Sequence, residues 1–89
     1  MENQHRKISG YRELTQEEID LMNEIKAKGQ ELESLLNKCR SVDVVVGKTG
    51  DREHDETLDE ASRWRAIAKE HLQQGLMALT RSVAKPKFF

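Results

Sequence analysis

Eighty-nine residues set a ceiling of one domain, and with 36% apolar against 35% charged residues the core of a single chain must be thin. A net charge of −1 argues against a nucleic-acid polymer as partner, because such modules normally carry a strong basic excess. Cys39 is the sole cysteine, and His5, His54 and His71 show no zinc-ligand spacing with it or with one another, so neither a disulfide nor a metal is expected to reinforce the fold.

A small domain without such staples usually gains its missing burial by oligomerising. The opening MENQHRK holds no apolar run, and nowhere does the chain offer the roughly 18 consecutive apolar residues of a membrane span. A soluble, cytosolic protein with a reduced thiol and no membrane partner is expected. Charge is unevenly placed: residues 1–12 carry +2, 13–40 carry −3, 41–60 carry −5 and 61–89 carry +5. Positive charge at both ends of the chain suits a small anionic ligand.

Residues 1–14 read as an arm, with Gly10 allowing a bend before Tyr11. Thr15 and Glu18 then form the capping box S/T-x-x-E, flanked by Leu14 and Ile19 as a hydrophobic staple that fixes the angle at which the arm enters the helix. The first long helix is predicted over 15–40, where Ile19, Met22, Ile25, Leu32, Leu36 and Cys39 recur at intervals of three and four on one face. Residues 41–56 break that pattern with a valine-rich piece and an acidic, turn-like GKTGDREHDE, and are predicted to be a loop. A second capping box, Thr57 with Glu60, opens a helix over 57–84 that stops before Pro86, leaving 85–89 as a tail.

Two long helices and a loop make an antiparallel hairpin. Paired about the loop, Leu36 is expected near Ala61, Gly29 near Ala68 and Met22 near Gly75, with the mid-helix glycines admitting another helix closely. The apolar arc of the second helix, which includes Trp64, Ile67, Leu72, Gly75, Leu76 and Leu79, spans about half its circumference at 100° per residue, more than one facing helix covers. Trp64 and Met77 are expected in the core, Cys39 as a buried small hydrophobe, and His71 at an interface or in the core. The uncovered arc predicts at least a dimer.

A charge audit singles out a few cations. Glu24 precedes Lys28 by four and Asp59 precedes Arg63 by four, so both cations have acids on their own helices. Lys26 has only Met22, Asn23, Gly29 and Gln30 at three and four residues, and lies on a stripe of uncharged hydrogen-bonding side chains, Asn23, Gln30 and Asn37. Arg65 and Lys69 also lack local acids and repel each other at i, i+4. Each of these, taken singly, is explained by a basic side chain with its stem on apolar surface. Together they point toward an anion site. No catalytic arrangement stands out: there is no HExxH, no glycine-rich phosphate loop, and the GKT at 47–49 lacks the upstream glycine of a phosphate-binding loop. No motif asks for a cofactor or metal.

The segments YRELTQEEIDLMNEIKAKG and RWRAIAKEHLQQGLMALTRSVAKP closely resemble small phage proteins that counter the bacterial cyclic-oligonucleotide defence called CBASS, a group that shares its helical hairpin with an anti-Thoeris sponge. The resemblance covers both helices and the arm, about two thirds of the chain, and leaves out 42–57. It implies an all-α fold: an antiparallel helical hairpin with a short N-terminal helical arm, assembled into a homohexamer as a trimer of dimers. It also implies a non-enzymatic sponge in the cytoplasm of the infected bacterial host, one that binds cyclic dinucleotides such as 3′,3′-cyclic GMP-AMP, and cyclic trinucleotides in separate pockets, without cleaving them. The stacking tyrosine and the helix lysine of the family's dinucleotide site match Tyr11 and Lys26, with Arg12 and Asn23 beside them. By position the trinucleotide site falls on Lys28, Gly29 and Arg65, with Arg63 in reserve and Lys69 nearby. The competing reading of the residues is a helical interaction module in which these side chains are ordinary surface groups, and a phosphodiesterase is the weakest reading, for want of metal ligands.

Overall fold

The computed structural model describes residues 13–87. It is a two-helix antiparallel hairpin, α1 (Gln16–Val46) and α2 (Arg52–Ala84), joined by the five residues 47–51. The expected hairpin is present; the expected helical arm lies outside the described residues.

The start of α1 follows its sequence signal. Thr15 Oγ1 accepts from the Glu18 amide at 3.2 Å, and the Thr15 amide donates to Glu18 Oε1 at 2.9 Å, which closes the capping box. The connection differs from expectation. α1 runs six residues past Arg40, through Ser41, Val42, Asp43, Val44, Val45 and Val46. Four valines cost the helix only a few tenths of a kcal/mol each, less than about 0.7. The ladder continues instead to Gly47, whose positive φ (67°), open to glycine, ends it while its amide donates to the Asp43 carbonyl at 2.9 Å.

The second capping box does not form. Asp51 caps α2, its side chain accepting from the His54 amide at 2.9 Å, and Thr57 lies inside the helix with its hydroxyl donating to the Glu53 carbonyl at 2.9 Å. The tight turn satisfies its own backbone. The Asp55 carboxylate accepts from the amides of Thr49 and Gly50 at 2.9 and 3.0 Å, and His54 Nε2 donates to the Gly47 carbonyl at 2.9 Å. Lys48 reaches Asp59 at 2.8 Å, and that hydrogen bond raises the lysine above its ordinary value.

The helices meet along one seam, in which Met22, Ile25, Leu32 and Leu36 of α1 and Ala61, Ala68, Leu72 and Leu76 of α2 are half-buried. No described residue is fully buried. Trp64 is 57% exposed and Met77 72%, and Cys39 and His71 are also exposed, so none of the four occupies a core within this chain. The reason is geometric: one facing helix covers one stripe, and these side chains stand outside it.

The register also differs from expectation. A Cβ at Gly29 would lie 3.3 Å from Leu76 Cδ1, so Gly29 faces a position eight residues beyond Ala68, whereas Gly75 has nothing within 4 Å. Side chains lean toward the N-terminus of their own helix by about one position, so in an antiparallel pair an α1 residue meets one about two positions farther along α2 than its backbone level indicates. The rest is an axial offset of the two helices, and counting residues about the turn ignores both. Ion pairs of Arg65 with Asp43, and of Lys85 with Glu18 at 3.1 Å, help fasten the hairpin away from the turn. Lys85 is the C-cap of α2 and takes a left-handed backbone (φ 47°, ψ 56°), a conformation costing a non-glycine residue about 1 kcal/mol.

Candidate ligand grooves

A wide groove of about 710 Å³ lies at the open end of the hairpin, where the chain enters α1 and α2 ends. Its apolar surface comes from Met22, Ile25, Leu76 and Met77, and its polar groups from Asn23, Lys26, Thr80 and Arg81. Pro86, just past α2, completes the wall. Apolar surface with a few convergent polar groups is the general form of a small-molecule site. Asn23 and Lys26 are exposed, and Lys26 has no ion-pair partner among the described residues. The reason is local: no acid occurs three or four residues from it on α1, and α2 presents Thr80 and Arg81 across the groove. The structure therefore brings Asn23 and Lys26 together on one surface. Tyr11 and Arg12 lie outside the described residues.

Midway along the hairpin a second surface carries more charge. One groove of about 230 Å³ is lined by Gly29, Asn37 and Lys69 together with the Glu33 carboxylate, and an adjoining one of about 240 Å³ by Asn37, Arg40, Arg65 and Lys69. Lys69 borders both and has no ion-pair partner among the described residues. Arg65 does have one: its guanidinium holds the Asp43 carboxylate of α1, the two side chains being 22% and 26% exposed. The absence of an acid near Arg65 in sequence is thus made good across the hairpin.

Two of the expected trinucleotide residues stand apart from these grooves. Lys28 is exposed and pairs with Glu31 at 3.3 Å, not with Glu24. Arg63 pairs with Glu60 at 3.0 Å and lies 5.1 Å from the centre of the Trp64 ring, while Asp59 is taken by Lys48. Sequence reasoning missed Arg40, Arg81 and Asp43. Arg40 and Asp43 fell at or beyond the expected end of α1, so neither had been given a helical face. Arg81 had a findable signal, since its i−4 neighbour Met77 is apolar and it lies in the last turn of α2 beside the groove.

The open-end groove offers apolar surface for a planar ring and a cation for an acidic group, and the mid-hairpin grooves offer up to three cations with the Asn37 amide. Among the described residues no group of three His, Cys, Asp or Glu side chains is placed to hold a metal ion, and no helix is long and apolar enough to cross a membrane.

Comparison with known proteins gives concordant matches. The family model described as the Acb2/Tad1 hairpin domain matches residues 5–84, a span that includes 42–57 as well as both helices. Anti-CBASS protein 2 of Pseudomonas phage JBD67 is 43% identical over a 106-position alignment that covers 98% of this chain and 98% of its own. On fold, extent and sequence identity alike, the chain belongs to the Acb2/Tad1 hairpin-domain family.

Proposed function

We propose that this is a phage anti-CBASS protein that works as a sponge, binding cyclic di- and trinucleotide messengers without cleaving them and so withholding them from the host's defence effectors. The observation that carries the reading is the pairing of Lys26 and Asn23 with an apolar groove that, among the described residues, no acidic side chain lines. A purine needs a flat apolar surface, a phosphodiester needs a cation, and this groove offers both. That the 43% identical relative is an anti-CBASS protein supports the same reading.

The dinucleotide site uses Lys26 and Asn23 of the groove with Tyr11 and Arg12 of the arm. Base stacking on an aromatic ring is worth roughly 1–3 kcal/mol, and a charge-assisted bond from Lys26 to a phosphate adds to it. The trinucleotide site uses Gly29, Arg65 and Lys69 of the mid-hairpin surface, with Lys28 and Arg63 at its margin. A homohexamer, a trimer of dimers, completes both sites: a two-fold dimer presents each group twice to a ligand that is itself nearly two-fold symmetric. The protein acts in the cytoplasm of the infected bacterium.

The test is calorimetry with 3′,3′-cyclic GMP-AMP, followed by denaturation of the complex and chromatography of the released nucleotide. Binding with intact nucleotide recovered is the expected result. Recovery of a cleaved product would overturn the sponge in favour of a phosphodiesterase. Absence of binding would leave a helical interaction module, whose exposed Trp64 and Met77 serve assembly alone.

A further inference from the structure

Glu33 is a carboxylate set among cations. At three and four residues on α1 it has Gly29, Gln30, Leu36 and Asn37, so its own helix offers it no basic side chain, and it has no ion-pair or hydrogen-bond partner among the described residues. It lines the mid-hairpin groove of about 230 Å³ together with Lys69, yet no ion pair joins the two. That groove therefore holds an acceptor and a cation, both open to a ligand.

The floor of the groove is apolar, made by Leu32 and Leu36 of α1 with Leu72 and Leu76 of α2, all half-buried. Its volume falls below the roughly 300–1,000 Å³ of pockets that take a whole drug-sized ligand, so it suits a single ring system. The adjoining groove of about 240 Å³ shares Leu36, Asn37 and Lys69 with it, adds Arg40 and Arg65, and has no acid among its described lining residues. Arg40, like Lys69, has no ion-pair partner among the described residues. Acid and surplus cations are thus sorted into neighbouring compartments. A phosphate belongs in the second, because the carboxylate of the first repels it. A nucleobase belongs in the first, since its faces are apolar and an exocyclic amine donates the hydrogen bond that a glutamate accepts.

We propose that Glu33 is the base-reading residue of the trinucleotide site. One nucleotide of the ring straddles the two grooves, its base on the leucine floor with the exocyclic amine donating to the Glu33 carboxylate, and its phosphate held by Arg40 and Lys69. The site thereby selects messengers whose bases carry an amino group. It also gives the bound nucleotide one orientation, since the reverse would set the phosphate against Glu33. The inference rests on the trinucleotide site proposed above, and its test separates the two.

The test compares two ligands that differ by that amine alone: 3′,3′,3′-cyclic tri-AMP, and the analogue in which unsubstituted purine replaces each adenine. By calorimetry the parent protein is expected to bind the amino ligand roughly 10-fold more tightly, the lower end for one hydrogen bond to a charged group. Glu33→Ala is expected to bind the two within about 2-fold of each other, and Glu33→Gln, whose carbonyl still accepts, to keep part of the preference. Alanine is the better helix former at this exposed position, so the melting temperature of Glu33→Ala is expected to equal or exceed the parent's, with the sedimenting mass unchanged. Arg40→Ala is expected to weaken both ligands by the same factor, because it acts on the phosphate. A parent that bound both ligands equally, or a Glu33→Ala variant that kept the preference, would overturn base reading and leave the trinucleotide site standing. A fall in sedimenting mass in Glu33→Ala would assign the carboxylate to a contact between copies, and would overturn it too. A parent that bound neither ligand would remove the trinucleotide site, and the role of Glu33 with it.

Discussion

At the scale of single residues, the informative contrast is between cations that have partners and cations that do not. Lys28, Arg63 and Arg65 are held by Glu31, Glu60 and Asp43, so an anion arriving at any of them competes with a carboxylate already in place. Lys26 and Lys69 carry no such competitor among the described residues. A hydrogen bond to a charged group contributes about 1.5–3 kcal/mol, so Lys26→Ala is expected to weaken cyclic-dinucleotide binding roughly 10- to 100-fold by calorimetry. Lys69→Ala is expected to weaken cyclic-trinucleotide binding by a similar factor and to leave dinucleotide affinity within about 2-fold, a difference well below the roughly 1.4 kcal/mol of a tenfold change. Parallel loss of both ligands in both variants would show that the two grooves form one site. Arg65→Ala is a poorer probe, because it also strands Asp43 across the hairpin. Lys26 was legible in the sequence because its isolation is local, visible at three and four residues on one helix. The partner of Arg65 was not, because it lies 22 positions away, on the part of α1 that its valines disguised.

At the scale of the helices, the sequence announced one N-terminus correctly and another wrongly, by the same motif. Thr15 with Glu18 is a working capping box, while Thr57 with Glu60 is an equally good match that lies mid-helix. Asp51 decides between them: it caps α2 one turn and a half earlier, next to a glycine that lets the chain turn, with Asp55 gathering the turn's amides. Side-chain competition of this kind is set by the whole turn, and no single four-residue pattern encodes it. Asp51→Ala is therefore expected to lower stability by about 1 kcal/mol, the usual cost of losing a cap, read as a fall in melting temperature. Thr57→Ala is expected to leave it unchanged or slightly higher, since alanine is the better interior helix former. The reverse ranking would return α2 to a start at Thr57.

At the scale of the whole molecule, the hairpin is open and elongated. Its radius of gyration is 19.3 Å and its extents are 62 × 23 × 16 Å, against about 12 Å for the radius of a compact domain of this length. No described residue is buried, yet Trp64, Met77 and Leu79 stand 50% or more exposed on α2. Gly75 keeps a helix-weakening residue at a place where nothing in its own chain approaches within 4 Å. A glycine that admits no helix from its own chain, beside large apolar side chains without cover, is accounted for if another protomer packs there. The width of α2's apolar arc already pointed that way in the sequence, although the pairing of Gly75 with Met22 did not hold. Association through this face would make stability depend on concentration, since dilution would remove the covering protomer. The melting temperature is therefore expected to rise with protein concentration, and sedimentation is expected to give a mass several times 10.3 kDa. Trp64→Glu, which places a charge on that face without touching the α1–α2 seam, is expected to reduce the mass toward that of one chain and to remove the concentration dependence. A parent protein that sediments as a single chain and melts at the same temperature at every concentration would mean that the exposed face is left bare, and that the ligand sites must be complete within one hairpin.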